Sequence, residues 1–207
     1  MKFLITAGGT REYIDPVRFI SNASSGRMGY ALARAALKAG HKVTLITAAA
    51  SQPVPSASEI VKVETAAEMF EEVRKHFKRC DCVIMAAAVA DYTPAYPAKT
   101  KIKRAGKHLS IKLKPTVDIL KWAGKRKKKG QIVVGFALED KNLRANAEKK
   151  LKEKNLDMII ANTPAAIGAD RSTVQIKMPN CKWLRFPQVT KTIIARRIIR
   201  EAESILE

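Results

Sequence analysis

Acidic side chains are in short supply in this chain of 207 residues, which sets 19 Asp and Glu against 39 Lys and Arg for a formal charge of +20. Such an excess implies polyanionic partners: nucleic acid, an anionic membrane surface, or small molecules bearing several phosphates. Cysteine is also sparse. Cys80, Cys82 and Cys181 form neither a paired framework nor a cluster with histidine, so a reducing compartment is expected. His41, His76 and His108 are scattered, and with them go a nucleophilic triad and a dedicated metal cage; no residue is assigned as a metal ligand. No apolar run is long enough to cross a bilayer and no secretory leader is recognised, so the expectation is a soluble, cytoplasmic protein with no membrane partner. Gly-Lys-Ser and Gly-Lys-Thr are missing too, which disfavours a phosphate-loop NTPase.

What is present is a hydrophobic fraction of 46%, ordinary for a globular chain, at a length that suits one core. Lys2 to Thr6, Lys42 to Thr47, Cys82 to Ala87, Gln131 to Phe136 and Leu156 to Ala161 read as buried strands, because their apolar content is nearly continuous. Helical spacing joins Met28, Leu32, Ala36 and Ala39. It recurs in Met69, Phe70, Val73 and Phe77, in Leu143, Ala147 and Leu151, and in Ile194, Ile198, Ala202 and Ile205. Ile60 to Val63 reads as a short extended piece, Leu109 to Leu113 as a brief strand and Asp118 to Lys129 as a helix. Val174 to Met178 and Lys182 to Phe186 read as a hairpin turning at Pro179 and Asn180. The fold class that follows is α/β: a Rossmann-like, doubly wound, mainly parallel sheet with a late β-hairpin, in one domain over 1–207. Ligands of such sheets bind outside the carboxyl ends of the strands.

The stretch Ala7 to Gly29 leads from the first strand into the first helix. Gly8 and Gly9 allow tight backbone geometry, and Asn22, Ser24, Ser25 and Gly26 supply short polar groups before the helix begins. Free amides there would bind an anion, assisted by the helix dipole and by Arg11, Arg18 and Arg27. A long connector with a well-capped helix is the plainer reading. A dinucleotide fits badly, since the glycine fingerprint is incomplete and no acid ends the second strand. The segment 88–110 carries Pro94, Pro97, Lys99, Lys101, Lys103, Arg104 and Lys107, and is expected to be a mobile substrate flap.

GGTREYIDPVRFISNASSGRMG at 8–29, AAAVADYTP at 86–94, KIKR at 101–104, VGFALE at 134–139 and DMIIAN at 157–162, in this order, resemble the phosphopantothenate-cysteine ligase (phosphopantothenoylcysteine synthetase) family over nearly the whole chain. The resemblance implies a stand-alone ligase, without the flavin-dependent decarboxylase half, that joins 4'-phosphopantothenate to L-cysteine through an acyl nucleotidylate in coenzyme A biosynthesis. CTP is the expected nucleoside triphosphate, with ATP as the alternative. Mg²⁺ is expected and flavin is not. A homodimer is expected, in which the late hairpin would exchange contacts or complete the site, with a separate decarboxylase as a further partner.

By the same resemblance Asn22 and Lys101 are the catalytic residues. Asn22 would serve the acyl intermediate, and Lys101, the first lysine of a KIKK-like loop, would neutralise phosphates, with Lys103 as runner-up. The nucleotide would lie on Gly8, Gly9, Ser24, Ser25, Gly26, Ala87, Ala88, Asp91, Lys101, Lys103, Phe136 and Glu139, and the substrates on Arg18, Asn22 and Asn162. Plainer roles stand beside these. Asn22, Asp91 and Asn162 would cap turns, the lysines would be solvated charges, Phe136 would be core, and Arg18 would pair with Asp15. Departures from the family pattern are Val117 for a proline, Asp140 for a threonine, and Ser172 for an asparagine two residues after Asp170. The competing reading is a nucleic-acid-binding α/β module, with Lys121, Lys125, Arg126 and Lys127 to Lys129 on the backbone and Trp122 stacking.

Overall fold

The computed structural model describes residues 1–50, 52, 53, 55, 56, 58–104, 106 and 108–206; Lys107 of the flap's basic run lies outside the described residues. The elements run β1 (Lys2–Ala7), β2 (Arg11–Tyr13), β3 (Phe19–Ser21), α1 (Arg27–Lys38), β4 (Lys42–Thr47), β5 (Glu59–Lys62), α2 (Ala66–Phe77), β6 (Cys82–Met85), β7 (Tyr92–Pro94) and β8 (Leu113–Pro115). They continue through α3 (Ile119–Arg126), β9 (Ile132–Leu138), α4 (Leu143–Glu153), β10 (Met158–Asn162), β11 (Arg171–Lys177), β12 (Leu184–Thr190) and α5 (Lys191–Ser204).

Eight strands form one sheet in the order β12-β11-β10-β9-β6-β1-β4-β5. Every pair from β5 to β10 is parallel, and β11 and β12 add an antiparallel hairpin at the edge. The fold is therefore the α/β class expected from the sequence, with one more parallel strand, because the short extended piece pairs as β5. The chain goes from β1 outwards to β4 and β5, then returns to β6 on the other flank of β1. That reversal opens a crevice between the carboxyl ends of β1 and β6.

Alternation along the buried strands divides the core in two. Phe3, Ile5, Val43, Leu45, Ile84 and Val134 face α1 and α5 through Tyr30, Leu32, Ile194 and Ile198. Leu4, Ile46, Val83, Val133 and Ile159 face α2, α3 and α4 through Met69, Val73, Leu120, Ala123 and Leu151. Both sheet faces are covered, which is why these strands read as continuous apolar runs. Phe70 is only partly buried, and Ile205 and Ala39 are exposed because their helices stop short of them.

Two small hairpins stand apart from the main sheet. β2 and β3 pair antiparallel inside the stretch expected to be a loop, and β7 pairs with β8, so the brief strand falls at Leu113–Pro115 and not at Leu109 to Leu113. Glu12 of β2 is 3% exposed, because its carboxylate accepts the Ala66 amide at the start of α2, 2.8 Å away.

Candidate functional site

Backbone hydrogen bonds zip the crevice shut at its base. The Ala88 amide donates to the Gly8 carbonyl at 2.8 Å, Thr10 N–H donates back to Ala88 at 3.3 Å, and the Ala87 amide donates to Thr6 Oγ1 at 3.1 Å. Above this seam the loop after β3 returns to open α1. Gly26, the residue before the helix, has φ 73°, and a Cβ there would lie 2.7 Å from the Ala50 methyl group, so a side chain is excluded by both conformation and space. No side chain caps α1, and its first-turn amides are left for an anion.

A cleft of about 550 Å³ lies over this helix start and the ends of β6, β9 and β10. Among the residues expected at the site, it is lined by Asn22, Ser24, Ser25, Gly26, Ala87, Ala88, Asp91, Phe136 and Asn162. Asn22 is fixed in one orientation, since Nδ2 donates to the carbonyls of Ala88 at 3.3 Å and Val89 at 3.1 Å. Two acceptors can face only the NH₂ of the amide. Among the described residues no donor reaches Asn22 Oδ1, so its free capacity is that of an acceptor.

Gly8 and Gly9 sit beneath the lining, in the seam. Glu139 lies outside it and accepts from Asn146 Nδ2 at 2.9 Å. Lys101 and Lys103 are exposed and are not part of the cleft wall. Arg18 is also outside the wall and is paired with Asp15 through Nε at 3.0 Å.

The cleft also holds Lys150, Lys154 and Lys191, which the sequence reading did not select for the site, together with Arg27, which it named as an aid to the anion. Lys150 Nζ donates to the Phe136 carbonyl at 2.8 Å, and Lys154 pairs with Asp118 at 2.7 Å. Lys191 Nζ donates to the carbonyls of Ala166 and Ala169, while Arg27 reaches Gly168 O at 3.1 Å and Asp170 at 2.9 Å. Burial pulls the Lys150 ammonium below its ordinary pKa, and Lys154 beside it acts in the same direction. Lys191 is lowered likewise, by burial and then by Arg27. One signal pointed to the first pair: Lys150 and Lys154 fall on the helical stripe of Ala147 and Leu151, where charge is out of place.

Two members of the patch invoked for nucleic acid are committed elsewhere, while Lys121, Lys125, Lys128 and Lys129 stay exposed. Trp122 packs edge-on against Phe70 and Phe77, at 5.3 and 5.2 Å between ring centres, and Lys127 pairs with Asp157 at 2.6 Å. Nor does the late hairpin offer free aromatic rings, for Trp183 donates to Glu148 of α4 at 2.7 Å and Phe186 lies under Arg197 of α5.

Comparison with known proteins adds three findings. The model of the DNA/pantothenate metabolism flavoprotein C-terminal domain family matches residues 1–206. The coenzyme A biosynthesis bifunctional protein CoaBC of Bacillus subtilis is 42% identical over 207 residues, covering 98% of this chain and 51% of that protein; a cysteine/cysteine sulfinic acid decarboxylase from an unknown prokaryotic organism is 46% identical, covering 97% and 57%. The chain thus spans about half the length of these curated relatives. The crystal structure of the C-terminal domain of a CoaBC protein superposes with a TM-score of 0.86 at 40% identity, covering 99% of this chain and 95% of that one.

Proposed function

We propose, from the premise that this chain belongs to the DNA/pantothenate metabolism flavoprotein C-terminal domain family, that it joins 4'-phosphopantothenate to L-cysteine in coenzyme A biosynthesis, consuming CTP, with ATP as the alternative nucleotide. One observation carries this reading: an uncapped helix start and an oriented Asn22 share a single cleft with Arg27, Lys150, Lys154 and Lys191. The pantothenate carboxylate would attack the α-phosphorus, forming an acyl nucleotidylate as the bond to the β-phosphate breaks and pyrophosphate leaves. Both reactants are anions, and the amides of α1 and the surrounding cations offset their repulsion.

Cysteine's amine then attacks the acyl carbon, the carbon–oxygen bond to phosphate breaks, and the nucleoside monophosphate leaves as the amide forms. Because Asn22 Nδ2 is engaged, we assign its Oδ1 the task of accepting a hydrogen bond from the incoming amine. Mg²⁺ would be held mainly by phosphate oxygens and water, and it supplies further positive charge to the triphosphate. Among the described residues no group of three or more His, Cys, Asp or Glu forms a cage for it. Lys101, with Lys103 behind it, closes over the phosphates from the flap at 88–110.

A cytoplasmic homodimer completes the proposal. Among the described residues no helix is long and apolar enough to cross a membrane. Exposed Val17, Phe19 and Ile20 beside β2 and β3, with Tyr92, Tyr96 and Leu113 near β7 and β8, are what a second copy would cover. On the late hairpin, Trp183 and Phe186 are engaged by α4 and α5, which makes the two small hairpins the surface we favour. Incubation with phosphopantothenate, cysteine, Mg²⁺ and either nucleotide is expected to yield phosphopantothenoylcysteine and pyrophosphate in equal amounts. No product with either nucleotide overturns the reading, and a concentration-independent monomer mass overturns the dimer.

A further inference from the structure

Asp15 is 1% exposed, yet it sits in a turn on the protein's rim, where a carboxylate could have stayed in water. Its two oxygens do different work. Oδ1 accepts the amides of Val17 and Arg18, both at 2.9 Å, and so holds the turn between β2 and β3. Oδ2 takes the Arg18 guanidinium and, at 3.1 Å, the amide of Ile102, 87 residues further along. Arg18 completes the clasp by donating from Nη2 to the Ile102 carbonyl at 2.8 Å. A second tie lies next to it, from the Ala98 amide to the Ile14 carbonyl at 2.8 Å.

A turn alone asks only for one acceptor oxygen, which asparagine or serine would supply. The second oxygen, buried and charged, is devoted to Arg18 and to the flap. Arg18 keeps the carboxyl well below the usual carboxylate range, so the clasp remains charged at neutral pH. Ile102 stands between Lys101 and Lys103. Ile102 has its N–H and C=O both held and its side chain half-buried, while the neighbouring lysines are exposed.

We propose that Asp15 is a positioning residue: by clasping Ile102 it anchors the middle of the flap and sets which way Lys101 and Lys103 face, and so sets the enzyme's grip on the nucleotide's phosphates. This rests on the ligase reading for its substrate, and on the hydrogen bonds alone for the clasp. Asp15→Asn separates the two oxygens' roles, since the amide oxygen can keep the turn while the NH₂ can neither accept from Ile102 nor attract Arg18. Ile102→Pro removes the same N–H from the other side and alters no charge.

Two measurements decide the matter. Limited trypsin digestion of the full chain should cut after Lys103 and Arg104 about 10-fold faster in each variant, and after Lys101 likewise in Asp15→Asn (the Lys–Pro bond of Ile102→Pro is not a trypsin site), while thermal unfolding of Ile102→Pro stays close to wild type. In turnover assays the KM for nucleotide should rise about 10-fold or more, within the about 100-fold that misplacing a group by about 1 Å can cost, with the KM for cysteine unchanged. Unchanged cutting, or equal rises in both KM values together with a lowered melting temperature, overturns the proposal. Wild-type protein that turns over neither nucleotide overturns the ligase reading instead, and the digestion still reports on the clasp. Should Asp15→Asn fail to fold, Ile102→Pro gives the answer by itself.

Discussion

On the side of the cleft nearest β1, the surface is backbone and small side chains, with amide tied to carbonyl between Gly8 and Ala88 and between Gly9 and Ala49. On the far side long cations fold back onto carbonyls and carboxylates, each able to let go of one partner for another. The first wall has no room to adjust. It can set the distance of approach of a substrate, and a methyl group added at Gly8, Gly9, Gly26 or Gly29 would meet other atoms within 3 Å. The second wall carries charge held in reserve, and its members should be individually replaceable at modest cost.

The sharpest way to break that contrast is to crowd the rigid wall. A Cβ on Gly29 would lie 2.5 Å from the Ala7 methyl group and 2.9 Å from the Thr6 carbonyl, so Gly29→Val must push α1 off β1. We expect a loss of about 3 kcal/mol in chemical denaturation, at the upper end of overpacking, with activity falling in parallel. A smaller loss would mean that this wall yields after all. Next comes Asn22→Ala, which adds no bulk and removes the acceptor. It should lower kcat about 100-fold, the scale of one oriented polar group in a reacting site. Folding stability should fall by no more than about 1 kcal/mol, since Asn22 is exposed. Wild-type turnover would remove Asn22 from the chemistry.

What the sequence discloses divides along the same line. The sheet was legible because strands covered on both faces must be apolar throughout, and the rigid wall because Gly8, Gly26 and the alanines at 86–88 leave few other uses for such residues together. The hairpin of β2 and β3 was not, since three-residue strands are too short to show a period. The charged wall hid in plain view: with 39 Lys and Arg, any one lysine is unremarkable until the helix stripe is drawn. Nor could local pattern show that Arg18 and Asp15 reach Ile102, 84 and 87 residues away. The flap lysines were selected by motif, and the fold places them outside the cleft wall on a segment tied down at Ala98 and Ile102.

Substitutions in the charged wall sharpen the contrast with smaller effects. Lys150→Met keeps the aliphatic stem and removes a half-buried ammonium whose protein partner is a single carbonyl. Stability should change by less than about 1 kcal/mol, and the KM for nucleotide should rise about 10-fold, near the low end for a hydrogen bond to a charged group. An unchanged KM would leave Lys150 a structural clasp on β9.

The smallest effect is also the one that tests the cause of the reserve. Burial lowers the folded-state pKa of Lys150 beneath the ordinary 10.5. Between those two values the unfolded chain binds more protons than the folded one, so stability must rise with pH through that window. Below it, both states are protonated and the cost of burying the charge is carried in full. Lys191 is shifted the same way and contributes to the same rise. Denaturation followed from neutrality towards pH 10.5 should therefore show an alkaline gain that is reduced in Lys150→Met and further reduced when Lys191→Met is added. A gain that survives both substitutions would mean that these ammonium groups are solvated well enough to need no phosphate, and the far wall would then be surface charge like the rest of this basic chain.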